Sequence, residues 1–211
     1  MDPMVAAHGA LGVVALTAGL VAAFAPKRAG VHVWAGRGFA AVMLLSLVAI
    51  SIPIIRRNNV FMMGLGTVAW FAIIEGWRAL RRFRGTLQSA PDWVDYSVAG
   101  ITGVMTLGLA AFGLNGLVQT GNPLGAVCLV FAGLSTVLLW NAVGRWRVEV
   151  TRKQWLAVHI GHMSGALGAA ITAAGVVNFE GLLGSFQWVL WVAPTVISTV
   201  WGQRAIRSRG L

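Results

Sequence analysis

Residues 155–175, WLAVHIGHMSGALGAAITAAG, hold no charged side chain apart from what two histidines can carry. About 20 successive apolar residues are what an α-helix needs to cross the hydrocarbon of a bilayer. A stretch of this length and polarity predicts a membrane-spanning helix. It also asks why His159 and His162 stand inside it. An ionisable side chain at membrane depth is costly, so such residues ordinarily meet a partner or serve a function.

The rest of the chain repeats the pattern. Of its 211 residues, 57% are hydrophobic and 10% charged, and the mean hydropathy is +0.77. A soluble domain carries about 25% charged residues. The expectation is an all-α polytopic membrane helix bundle, a single domain over 1–211. Seven transmembrane spans are predicted at 4–25, 36–55, 60–80, 97–119, 123–142, 155–177 and 187–205. The separators, PKRAG, RRNN, RRFRGTLQSAPD, TGNP, GRWRVEVTRK and NFEGLLG, each contain charge or turn formers. The opening MDPMVAAHGALGVVALTAGL lacks the basic start of a secretory signal and shows no clear cleavage site, so it reads as the first retained helix.

The net charge of +10 raises nucleic acid as a partner, but position argues against it. The basic residues form short clusters between apolar runs, where they orient a membrane protein and lie against anionic head groups. With the N-terminus outside, one face receives Lys27, Arg28, Arg37, Arg78, Arg81, Arg82, Arg84, Arg145, Arg147, Arg152, Lys153, Arg204, Arg207 and Arg209. The other receives only Arg56 and Arg57. Basic residues stay cytoplasmic, which predicts an outside N-terminus, a cytoplasmic C-terminus and residence in the cell (inner) membrane. Trp34, Trp77, Trp93, Trp146, Trp155 and Trp201 cluster near the basic face as interfacial anchors. The bilayer is the expected partner, and a homo-oligomer is compatible with the pattern.

Helix packing is also predicted. Gly161, Gly165, Ala169 and Ala173 recur every four residues and form a small-residue groove where another helix is expected to approach closely. Pro194 is expected to kink the last span, and Pro53 to disturb the outer end of the second. Cys128, the single cysteine, has no intramolecular disulfide partner and reads as a small packing residue. The second and sixth spans both follow a basic, Trp-containing segment with an early histidine, VHVW and AVHI. Parallel three-helix repeats around a central helix would produce this likeness.

The polar residues suggest chemistry. His32 just before the second span, Glu75 near the inner end of the third, and His159 and His162 in the sixth share the inner depth. His8 lies near the opposite face, on the order of 15 Å or more away. Imidazole binds haem iron, copper and zinc. His32, His159 and His162, with Glu75, form the expected metal set, and Met163 adds a soft thioether. A bis-histidine haem needs ligands on facing helices, which singles out His32 and His159. The bland alternatives are an interfacial position for His8 and His32, a helix–helix hydrogen bond for His162, and an i+3 pair between Glu75 and Arg78. No Ser–His–Asp set, phosphate loop or zinc-protease motif is present, so no catalytic residue is assigned.

The order of HGALGVVALTAGLVAAFAPKRAGVHVWAGRGFAAVMLL, NVFMMGLGTVAWFAIIEGWRALRR, WLAVHIGHMSGALGAAITAAGVVN and WVAPTVI resembles a prokaryotic family of predicted multi-pass membrane proteins that carries a domain-of-unknown-function label. The resemblance covers most of the chain. It rests on the spacing of His8, the basic turn, His32 with Gly36 and Arg37, Gly76 with Arg78, and His159 with Met163. It implies the helix reading and points at those histidines, without an activity or cofactor. The family's residue at the position of Glu75 is usually small or hydroxylated, which ranks Glu75 below the histidines.

The leading expectation is a membrane protein binding haem b or a transition metal (copper or zinc) through His32, His159, His162, Met163 and His8, for transmembrane electron transfer. The alternatives are a small-solute or ion transporter with Asn115, Glu75 and Asn141 along its pathway, and a structural or assembly subunit without chemistry.

Overall fold

The computed structural model describes residues 2–27, 30–57, 59–122, 124–179, 181, 184 and 188–211. Arg28 of the basic set and residues 123 and 187, the predicted starts of the fifth and last spans, lie outside them. Among the described residues there are seven α-helices and no strand: α1 (Pro3–Phe24), α2 (Val31–Arg56), α3 (Val60–Phe83), α4 (Trp93–Thr120), α5 (Leu124–Arg145), α6 (Arg152–Asn178) and α7 (Trp188–Arg207). Five of them, α1, α2, α4, α5 and α6, are long and apolar enough to cross a membrane.

Most helices outrun their apolar cores because polar residues at the ends continue the helix. α4 begins at Trp93 because the Asp92 side chain accepts from the Val94 and Asp95 amides, while Asp95 accepts from the Asp92 amide. Thr151 and Gln154 cap α6 in the same reciprocal way. α2 starts at Val31, after Gly30 turns the chain at φ 112°. His32 therefore lies in the first turn of α2 and not before it. α2 runs three residues past Pro53, and α7 continues through Pro194.

The bundle is apolar outside and partly polar inside. Val13, Phe24, Ile55, Leu107, Val118 and Trp140 are exposed, whereas Ser46, Thr102, Ser135 and Thr172 are buried. Water would penalise such an exterior, and lipid does not. α3 is the hub, touching α2, α4, α5 and α6, while α1 packs on α2, α4 on α5 and α6 on α7. The main core joins Ala15, Phe39, Met43, Ile73, Ala166 and Leu167 from α1, α2, α3 and α6. Trp155 is buried, unlike the exposed Trp34, Trp77, Trp93 and Trp201, so it is no interfacial anchor.

The close helix contacts differ from the expected groove. A Cβ added at Gly161 or Gly165 would meet nothing within 4 Å. α7 instead packs on the neighbouring row Ser164, Gly168 and Thr172. A Cβ on Gly168 would clash with Ser198, one on Gly202 would lie 2.8 Å from Ser164 Oγ, and the Thr172 and Thr195 hydroxyls are 3.1 Å apart. Both rows repeat every four residues, and helix pairing selected the second. α4 and α5 approach at Gly113 and Gly125, where a Cβ on Gly125 would fall 2.6 Å from the Gly113 carbonyl.

Candidate functional site

Three histidines share one arrangement. His32 Nδ1 lies 2.8 Å from the Ala22 carbonyl, and His159 Nδ1 lies 2.8 Å from the Gly76 carbonyl. His8 Nδ1 lies 3.0 Å from the Ser46 carbonyl and 2.8 Å from the Ser46 hydroxyl, which also lies 3.2 Å from the His8 carbonyl, so Ser46 meets this ring with an acceptor and with a group that can donate. A carbonyl only accepts, so Nδ1 of His32 and of His159 is the donor and Nε2 points elsewhere. No hydrogen-bond partner for Nε2 of any of the three occurs among the described residues. Imidazole ligands in metal and haem sites are oriented in this way, by a second hydrogen bond to a carbonyl.

The anchors differ in kind. Ala22 is in the last turn of α1, where carbonyls lack helical partners, and Lys27 Nζ also donates to it at 2.6 Å. His32 thus ties the start of α2 to the end of α1. Gly76 lies inside α3, and its missing side chain makes the crossing with α6 possible. A Cβ there would sit 3.0 Å from Met163 Sδ and 3.2 Å from His162 Cβ. The pair singled out for facing ligands lies on α2 and α6, two helices that each pack on α1 and α3.

The remaining predicted ligands have other surroundings. His162 is buried, its ring edge meets Phe71 at 5.9 Å between centroids, and its Nδ1 has no partner among the described residues. Met163 is packed against α3 in the main core. Glu75 accepts from Arg145 of α5 at 3.1 Å, so its partner is not Arg78. Among the described residues no three of His, Cys, Asp and Glu gather closely enough to hold a metal ion. Structural zinc takes four protein ligands, and catalytic zinc three.

Sequence reasoning missed a buried ion-pair network on the basic side. Arg78 grips Asp95 with two bonds of 2.8 Å and reaches Asp92 at 2.7 Å. Arg82 donates to Asp95 at 2.6 Å and to the Gln88 carbonyl at 3.0 Å, and its guanidinium lies 4.8 Å from the Trp155 ring centre. Asp95 is 1% exposed and serves two arginines and a backbone amide. The Arg78 guanidinium holds the Asp92 carboxyl below the usual carboxylate range. Two signals were readable: the i, i+4 spacing of Arg78 and Arg82, which puts both on one helix face, and the DWVD spacing of a capping box.

The pathway residues divide. Glu75 is buried, whereas Asn115 and Asn141 are exposed on the outside of the bundle. α1 and α2 pack along their length, and no comparable α5–α6 packing occurs among the described residues. Compared with family models, curated proteins and solved structures, the chain gives no match.

Proposed function

We propose that the protein is a seven-span membrane protein, N-terminus outside and C-terminus cytoplasmic, that holds haem b between His32 and His159 and takes part in electron transfer. The observation that supports this reading is a pair of similarly held imidazoles in the first turn of α2 and the first half of α6. Each is locked by Nδ1 to a carbonyl, and each has Nε2 unengaged among the described residues. Bound haem would supply reversible one-electron iron chemistry. The chain's part is orientation: the Ala22 and Gly76 carbonyls fix the ring planes and tautomers. His8, locked to Ser46 near the other end of the bundle, is the chain's contribution to a second, outer site. A two-ligand reading ranks bare copper or zinc second, because Glu75 is engaged by Arg145 and Met163 by the α3 crossing.

The test is the absorbance spectrum of detergent-purified protein expressed with haem precursor, together with metal analysis. We expect a Soret band that His32→Ala and His159→Ala each remove, since losing one axial ligand opens the coordination sphere. His8→Ala should keep the inner site, and His162→Ala should lower stability more than occupancy. Stoichiometric copper or zinc without a Soret band selects the second reading. Wild type without haem or metal, or both inner alanine variants folded and fully occupied, removes the site.

A further inference from the structure

At the end of the bundle away from the basic cluster, α2, α3 and α4 leave a cavity of about 250 Å³. Its walls include Met62 and Met63 from the start of α3, Met105 from α4, and Ser51, Thr67 and Trp70. Three of the chain's seven methionines border this one space. No charged side chain lines it. Gly66 helps to open it, since a Cβ there would touch only Leu47, at 3.8 Å.

Methionine ordinarily fills irregular gaps in a core. Met43 and Met163 do so in the main core. Met63 and Met105 border a gap instead, and Met62, which packs against the Leu109 and Cys128 core, also reaches its wall. The hydroxyl protons of Ser51 and Thr67 are already committed to the Val48 and Met63 carbonyls, at 2.7 and 2.8 Å. The polar atoms left to the cavity are therefore thioether sulfurs and two hydroxyl oxygens without a free proton.

We propose that this cavity is a binding site for a soft monovalent metal ion, Cu(I), held by the thioethers of Met62, Met63 and Met105. Neutral thioethers are poor ligands for hard cations, which need carboxylates, carbonyls or water, and good ones for Cu(I). A single positive charge in an apolar wall is tolerable when soft donors replace its hydration. The site stands apart from His32 and His159. Met63 and Gly76 are thirteen residues apart on α3, or about 20 Å at the helical rise. Its existence does not depend on the haem reading.

The experiment titrates detergent-purified protein with Cu(I), kept reduced by ascorbate without oxygen, against a coloured Cu(I) chelator. Ag(I) serves as the redox-silent check, and X-ray absorption reads the ligand atoms. We expect one equivalent per chain in a sulfur-only shell, retained in the His32→Ala/His159→Ala double variant and in Cys128→Ala. Met105→Leu, close to isosteric, should weaken binding by at least about tenfold. The triple variant Met62→Leu/Met63→Leu/Met105→Leu should abolish it. No bound Cu(I) in the wild type overturns the proposal, as does unchanged affinity in a folded Met105→Leu protein. Loss of the ion on Cys128→Ala alone does so too.

Discussion

Asp95 shows how one carboxylate can hold two helices together. It is almost fully buried, and its two oxygens take bonds from Arg78, Arg82 and the Asp92 amide. Removing one member of a buried pair leaves an uncompensated charge, here two guanidinium groups. Asp95→Asn should therefore lower stability by about 3 kcal/mol or more, measured by unfolding in detergent. Asp92 contributes through pH. Its pKa is depressed in the folded state by Arg78, so its stabilising effect is present above the usual carboxylate range and is lost as pH falls through the folded value. Asn caps helices nearly as well as Asp but carries no charge. Asp92→Asn should keep α4 capped and lose less stability than wild type as the pH falls through and below the usual carboxylate range. An equal acid loss in both proteins would assign the transition to other carboxylates. Glu75 illustrates the limit of local reasoning. Its neighbour Arg78 is three positions away, yet the bond goes to Arg145, seventy positions along the chain.

Between elements, the decisive contacts are rows of small residues. Gly168 and Gly125 lie where a neighbouring helix leaves no room, and Gly165 faces open space. Gly168→Leu and Gly125→Leu should each cost about 1–3 kcal/mol or more through overpacking. Gly165→Leu should stay within about 0.5 kcal/mol of wild type. Thermal melts of the three variants in one detergent check the ranking, and a Gly165→Leu loss matching Gly168→Leu would reject the α6–α7 pairing described. Periodicity alone did not choose between the two rows on α6, because both repeat at four. The choice came from α7, whose Thr195, Ser198 and Gly202 meet Thr172, Gly168 and Ser164.

For the whole molecule, orientation is the main prediction. Of sixteen Lys and Arg residues, all but Arg56 and Arg57 belong to one face in the seven-span reading. The cytoplasm retains basic loops, so reporters fused at the N-terminus should read outside and reporters at the C-terminus inside. Both termini on the same side would require an even number of spans and would break the depth match between His32 and His159. The same scale explains the basic-side ion pairs. Arg78, Arg82 and Arg145 start from helix ends near the interface, but Asp92, Asp95 and Glu75 draw them inward into bonds. Three residues counted as topology signals thus also fasten α3 to α4 and α5.

The sequence by itself determined the all-α class, the seven helices and their limits to within a few residues. Hydropathy is summed over consecutive positions, and each apolar run ends at charge or turn formers. It also indicated His32 and His159 as the pair of matching depth. Tertiary structure decided what each side chain faces. On a helix one residue turns the direction by about 100°, so a face acquires meaning only when its neighbour is known. That is why the tautomer-fixing carbonyls of Ala22 and Gly76, the Arg145 partner of Glu75 and the row of α6 under α7 were not legible beforehand. Each joins residues on different helices, and its energy resides in the contact between them.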